Sequence, residues 1–337
     1  MYVKNRCLVT ITTPSGTNIK FNAVASVTID KSIDSVTSSA VIRIPASARL
    51  VYADGSKTES VQTARQFERG DRVNIQLGYN NNLKEEFEGF IYRINFTSPL
   101  EIECEGYEFL LRENLPTKTF ATTSLKSLLQ YIVSSSSKFM DTGISVAGDI
   151  PAVEMVNYVI PANLNGIDAL QQIKEHYGLT VYFQKNTLYA GGDFIRMLGD
   201  VKYSLGVNTP RADELKYQRA EDVKLKVKAI QINKNNTKLE AEVGDPKGEQ
   251  RTLYFFTAYS VAGLKKMAEV EMLKYKFTGY TGKITTLLEP YAQPGMAAVV
   301  VDIKYPERGG KYEVRGVNTT FDTGGAKRSI DIGKTLS

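Results

Sequence analysis

The 337-residue sequence contains no tryptophan, one histidine, His176, and two cysteines, Cys7 and Cys104. These shortages exclude most site chemistry. A Ser-His-Asp or Cys-His nucleophile needs an imidazole, and His176 falls in the last turn of a predicted helix, where it simply favours the helix dipole. Zinc needs about four nitrogen or sulfur ligands within reach, which one histidine and two distant cysteines do not supply. Each cysteine sits in an alternating apolar pattern, so two buried free thiols are expected, and no bridge. The net charge of +5 comes from 42 basic and 37 acidic residues scattered along the chain. That is not the concentrated basic face of a sequence-specific nucleic-acid binder. No apolar run approaches the ~18 residues of a membrane span. "MAAVVV" is of strand length, and the opening "MYVKNRCLVTIT" alternates, with Val3, Cys7, Val9 and Ile11 on one face, unlike an export signal. A soluble chain without stable membrane insertion is expected.

Other sites are also poorly supplied. "GGDFIRMLGD" and "RGGK" are glycine turns without the Lys-Ser/Thr of a phosphate loop. A carbohydrate-binding module would expose aromatics on a sheet face, whereas most of the 19 tyrosines and 14 phenylalanines fall in core patterns. Glu85, Glu86 and Glu88 cluster beside a hairpin, and a glycosidase needs two carboxyls several ångströms apart; a charge run near a turn is first of all a solvated face. No catalytic, cofactor-binding or metal-binding residue is assigned, and no enzyme activity is expected.

What the sequence does contain is strands. After the first, "FNAVASVTID" places Phe21, Ala23, Ala25, Val27 and Ile29 on one face, "SAVIRIP" alternates up to Pro45, and "DRVNIQL" presents Val73, Ile75 and Leu77. In "LEIECEG", Leu100, Ile102 and Cys104 alternate with Glu101, Glu103 and Glu105, as in a strand with one side in a core and one in water. Residues 46–69 form a polar excursion. From about residue 116 the period becomes helical: "TSLKSLLQYIVSSSS" carries Leu125, Leu128, Leu129 and Ile132 behind a Ser124 cap, and "NGIDALQQIKEHYG" runs from Asn165 to a Gly178 stop. "LTVYFQKNTLYAGG" is a hairpin turning at Lys185-Asn186. The last third returns to strands. A pair turns near Asn235-Asn236, and a helix, "SVAGLKKMAEVEMLKYKF", carries Leu264, Met267, Ala268, Met272 and Tyr275 near one core-facing stripe.

The two ends match. Gly70 with Val73, Ile75 and Leu77 corresponds to Gly295 with Val299, Val301 and Ile303; Phe87 and Gly89 fall near Tyr312 and Gly316; Ile102 and Cys104 fall near Ile330 and Ile332. One β-domain present twice is predicted, the copies being near 1–112 and 215–235 plus 278–337 and superposing as separate barrels; one continuous sheet through both ends would contradict this.

"FERGDRVNIQLGYNNNLKEEFEGFIYRI" is similar to a segment of bacteriophage contractile-tail baseplate hub proteins of the late control protein D type. There, Gly-Asp precedes a strand and "lGy" follows it, ahead of an "F-x-G-x-I" strand. "LEIECEGYEFLLREN", "SLKSLLQYI", "IDALQQIKEHYGLTVYFQKNTLYAGG" and "QPGMAAVVVDI" with "GGKYEVRGVNTTFDTGG" resemble that family in order and spacing, as they do the hub part of type VI secretion spike proteins. "KTESVQTARQ" and "INKNNTK" have no counterpart in the pattern.

The resemblance implies a mainly β (α+β) fold with two tube-protein-like antiparallel barrels: 1–112, an α/β module 113–195, and 196–337 with a helix-containing insertion at about 236–277. It implies a structural homotrimer whose six barrels adapt a hexameric tail tube to a trimeric spike. Its partners would be itself, tube, spike and other baseplate proteins, in a virion baseplate assembled in the bacterial cytoplasm. A related contractile injection device and a cell-wall-degrading tail enzyme remain the alternatives. The candidate contact residues are the equivalent turns Gly78, Tyr79, Asn80, Asn81 and Asn82, and Lys304, Tyr305, Pro306, Glu307 and Arg308.

Overall fold

Alternation of apolar and polar residues along most strands places one face of each in a core, and the strands assemble accordingly. The computed structural model describes residues 4–22, 24–51, 58–136, 143–192, 198–209, 214–232, 237–255 and 260–336. In the first third β1 (Asn5–Thr12), β2 (Asn18–Phe21), β3 (Ser26–Ser32) and β4 (Ser39–Ile44) precede a side hairpin, β5 (Ser47–Val51) with β6 (Thr58–Gln62). A meander of β7 (Arg72–Tyr79), β8 (Asn82–Asn95) and β9 (Leu100–Glu105) follows. The polar excursion is therefore largely a hairpin, with residues 52–57 outside the described set. "FNAVASVTID" is divided between two strands, β2 ending at Phe21 and β3 beginning at Ser26.

Next come β10 (Lys118–Ser124), α1 (Leu125–Ser136), β11 (Ser145–Val146), β12 (Glu154–Ile160), α2 (Gly166–Tyr177), β13 (Thr180–Gln184) and β14 (Thr187–Gly191). Ser124 Oγ accepts from the Ser127 amide, and Asn165 Oδ1 accepts from the Asp168 amide at 2.9 Å. Gly178 closes α2 at φ +62°. These are the caps expected from side chains that satisfy orphan helix-end amides and from a residue free to adopt a left-handed turn. Leu125, Leu128, Leu129 and Ile132 of α1 meet Leu170 and Ile173 of α2 in a core of their own.

The last third contains β15 (Asp200–Ser204), β16 (Leu215–Gln218), β17 (Leu225–Ile232), β18 (Lys238–Gly244), β19 (Glu249–Phe255), α3 (Val261–Leu273), β20 (Gly279–Thr286), β21 (Ala297–Val301), β22 (Gly310–Asp322) and β23 (Gly325–Thr335). Strand β17 pairs with β18 and β19, and α3 covers that small sheet with Leu264 and Ala268 buried. Leu225–Ile232, expected with the second barrel, thus belongs to the inserted unit, which starts near 225 and not near 236. The turn at Asn235-Asn236 lies outside the described residues.

The mainly β, antiparallel class is as the sequence predicts, but the two ends are not separate barrels. Among the described residues, thirteen strands form one sheet whose main path is β16-β20-β23-β22-β3-β4-β9-β8-β7-β1-β2, with β21 also on β22 and β15 on β21. The join is β22 with β3, antiparallel from Gly316 opposite Ser32 to Asp322 opposite Ser26. Neither half closes on itself among the described residues. Each instead curls around its own cluster: Val9, Ile29, Ile42, Ile75 and Phe87 meet in one, and Tyr203, Ile284, Val300, Val314 and Ile330 in the other. Cys7 and Cys104 are buried and unbridged.

The duplication survives as strand order. One half runs β3-β4-β9-β8-β7-β1 and the other β16-β20-β23-β22-β21-β15. Backbone bonds fix the equivalence: Gly70 N–H donates to Ile91 O and Gly295 N–H to Val314 O, at 2.9 and 3.0 Å, with φ of +96° and +89°. Both β8 and β22 carry a register shift at the same place, after Ile91 and after Val314. Ile102 and Cys104 do match Ile330 and Ile332. Two sequence equivalences shift, however. Ala298 and Val300, not Val299 and Val301, occupy the places of Val73 and Ile75, and Ile303 is exposed; Gly89 corresponds to Tyr312, and Gly316 to Arg93. One difference is topological: β1 runs antiparallel to β7, whereas β15 runs parallel to β21.

Candidate contact surface

The two candidate turns are the β7–β8 and β21–β22 connections, and so hold equivalent places in the repeated order. They also open at the same end of the sheet. From β22 through β3, β4 and β9 to β8 there are four antiparallel steps, so β22 and β8 run the same way and both turns precede them.

Their construction differs. Gly78 must be glycine, since a Cβ there would lie 1.9 Å from Asn82 O. Asn80 takes φ +54°, tolerated by an asparagine. Its amide donates to Lys4 O at 2.8 Å and its Oδ1 accepts from Lys4 N–H at 3.1 Å, tying the turn to the start of β1. Asn80, Asn81 and Asn82 are exposed and Tyr79 is half-buried. The Tyr79 hydroxyl accepts from Leu288 N–H at 3.1 Å, a contact between the halves.

In the second turn buried Asp302 accepts from the Lys304 and Tyr305 amides, both at 2.9 Å, and from the Tyr280 hydroxyl. Burial pushes its carboxyl up, but those donors outweigh it and hold the group below its ordinary range. Pro306–Arg308 is a short 3-10 turn. Arg308 lies over the rings of Tyr305 and Tyr217 at 3.9 and 5.1 Å. Lys304, Tyr305, Pro306 and Glu307 are exposed and Arg308 half-buried. The first turn is asparagine-rich, whereas the second follows Ile303, which is 64 % exposed. The places are equivalent; the chemistry is not, because the side chains at a turn tip are free of the strand pattern that aligned the two copies.

The carboxylates near the first turn are all engaged. Glu85 pairs with Lys185 of the central module and accepts from Asn74 at 2.8 Å; Glu88 pairs with Arg72 and accepts from the Tyr107 hydroxyl. Glu86 is buried against Arg328 of β23 at 2.5 Å, with the Arg328 guanidinium 4.8 Å from the Tyr291 ring. Burial pushes Glu86 up, and Arg328 and Lys31 pull it back. Lys31 of β3 is pushed down to about 8, chiefly by burial. This charge cluster lies where both halves and the central module meet, a group that sequence spacing could not assemble because its members are far apart in the chain.

His176 lines a cleft of about 290 Å³ between α2 and α3 with Asp34, Lys174, Tyr254, Met267 and Arg315. Neither serine nor cysteine is among its described lining residues. No group of three or more His, Cys, Asp or Glu suited to a metal occurs among the described residues, and no helix there is long and apolar enough to cross a membrane.

No protein-family model and no curated protein matches the sequence. Solved structures do match in fold. A tail protein from Neisseria meningitidis MC58 is similar with a TM-score of 0.66 at 14% identity, over 97% of this chain and 96% of that one. The 43 kDa tail protein of prophage MuSo2 from Shewanella oneidensis gives 0.65 at 11% identity, over 97% of each chain. An Escherichia coli component of the type VI secretion system, itself structurally similar to T4 bacteriophage tail proteins, gives 0.58 at 10% identity over all of this chain and 77% of that one. The chain therefore has the fold of phage tail proteins, as the sequence resemblance implied.

Proposed function

We propose that this chain is a structural hub of a contractile-tail baseplate, acting as a homotrimer that joins a six-fold tail tube to a three-fold spike. The observation that carries this reading is the repeated six-strand order within one chain: three copies offer six similar sheet units, so a three-fold ring presents near-six-fold ends. A heterologous ring closes only when each contact rotates by the right angle, and alternating two related halves meets that condition with three chains. Full-length likeness in fold to two phage tail proteins supports the same assignment. The partners are further copies of the chain, the tube, the spike and other baseplate proteins, in a virion assembled in the host cytoplasm.

The type VI secretion match over the whole chain favours one second reading, the hub of a related injection device with the same adaptor geometry. Catalysis is no part of either, and zymography on peptidoglycan checks this: a clear zone lost on substituting Glu86 or Glu88 would overturn it. An obligate contact between copies should bury on the order of 2,000 Å² or more. Mixing the chain with its cognate spike should yield a complex with three copies of each. A stable one-to-one complex without a ring, at micromolar concentration and moderate salt, would overturn the hub assignment.

A further inference from the structure

The duplication relates junctions as well as strands. Inside the chain, β21 covers the first part of β22, Gly310 to Glu313, and β3 takes the same edge from Gly316 onward. The first half has the matching vacancy. Strand β7 covers β8 from Asn82 to Phe90, and beyond Ile91 the residues Arg93–Asn95 pair only with β9 among the described residues. Because Ile91 stands where Val314 stands, Arg93, Ile94, Asn95 and Phe96 stand where Gly316, Val317, Asn318 and Thr319 meet β3.

The donor edge also has its counterpart. Ile29 lies opposite Ala40, which lies opposite Cys104; Leu215 lies opposite Gly282, which lies opposite Ile332. Since Cys104 and Ile332 are equivalent, Leu215–Gln218 of β16 match Ile29–Ser32 of β3. Strand β16 pairs with β20 on one side and with no described strand on the other.

A second observation marks the acceptor. Phe96 is 81 % exposed, whereas its counterpart Thr319 is 2 % exposed beneath the junction. Unpaired edges are normally blunted or covered, and a large apolar side chain at the end of one is the reverse of blunting.

We propose that β16 of one copy pairs antiparallel with the end of β8 of the next, Leu215 opposite Phe96, Lys216 opposite Asn95, Tyr217 opposite Ile94 and Gln218 opposite Arg93. The inference rests on the proposed ring and names the contact that closes it. The junction inside the chain is thereby repeated between chains, always donor edge to acceptor edge, which is the head-to-tail contact a closed ring requires.

Directly opposed residues in an antiparallel pair sit about 4.5–5.5 Å apart at Cα, within disulfide reach. The native thiols are buried and do not compete. The full chain carrying Phe96→Cys and Leu215→Cys, mixed with its spike and oxidised, should give a covalent three-chain species on a non-reducing gel. Each single variant should give none, and Phe96→Cys with Gln218→Cys, out of register, at least tenfold less. A three-copy complex without the link overturns this pairing and leaves the hub reading standing; absence of any three-copy complex overturns both. Phe96→Glu changes an exposed side chain, so it should fold like the parent yet need at least tenfold more protein to form the ring. Unchanged assembly of that variant also rejects the contact.

Discussion

At the residue scale, buried ionisable groups set the sharpest expectations. Glu108, fully buried after β9, accepts from the Ser38 hydroxyl at 2.9 Å and the Gly106 amide at 3.1 Å, and so pins the start of β4. Burial pushes its carboxyl up to about 7, against the pull of those bonds. A raised folded value means that between about 4.5 and 7 the native chain holds a proton that the unfolded chain has lost. This group's contribution therefore falls as pH rises through that window, by up to about 3 kcal/mol at about 1.4 kcal/mol per unit. Urea unfolding at pH 4.5 and 7.5 should show the parent losing about that much more than Glu108→Gln; equal losses would reject the assignment. Arg328 and Glu86 make the second case. Removing one member of a buried pair strands a charge, so Arg328→Met should cost about 3–5 kcal/mol, and Glu86→Leu added to it should recover most of the loss. A double variant as unstable as the single would show that the pair contributes more than mutual neutralisation.

At the element scale, backbone crowding fixes Gly89 of β8. A Cβ there would lie 2.1 Å from Glu105 O, whereas one at Gly148 would meet nothing within 4 Å. Gly89→Ala should cost about 1–3 kcal/mol in denaturant unfolding and Gly148→Ala much less; equal costs would argue against the crowding. The elements themselves were largely legible in the sequence. Caps at Ser124 and Asn165, the Gly178 stop and the Lys185-Asn186 turn obey local rules, and so do the alternating strands of the first meander. The face of β21 was misread because "AAVVV" is apolar on both sides, so that period 2 carries no signal, and a one-residue slip reverses the faces. The β3–β22 join was illegible for a different reason. Nothing local to "SVTIDKS" names a partner almost three hundred residues away, and the same holds for the Lys31–Glu86–Arg328 cluster. Of the candidate turns, the equivalence of place was legible from strand order, but the exposure of Ile303 beside the second was not.

At the scale of the whole molecule, the inserted unit leaves and returns at one point. Gln218, the end of β16, lies opposite Gly279, the start of β20, and between them β17, β18, β19 and α3 enclose their own core. Replacing residues 221–276 with a short glycine-containing turn should leave the large sheet folded, because closing a long loop adds little to the entropy already required. Circular dichroism and the thermal midpoint of the shortened chain check this; loss of cooperative unfolding would show that the insertion holds the sheet together. The central module should be less separable, since Lys185 reaches Glu85 and Lys174 donates to Asp34 O.

The fork in β22 has a mechanical consequence. That strand is hydrogen-bonded to β23 along most of its length, while its other edge is divided between β21 and β3. Seven residue pairs join β22 to β3, whereas β16 runs over four residues among those described. A load carried around a ring of such chains would thus meet long and short seams in alternation. Under torque the short seams would shear first, releasing three two-lobed wedges with their internal seams intact. Such an assembly would fail, or open, with three-fold symmetry even where the tube that loads it is six-fold.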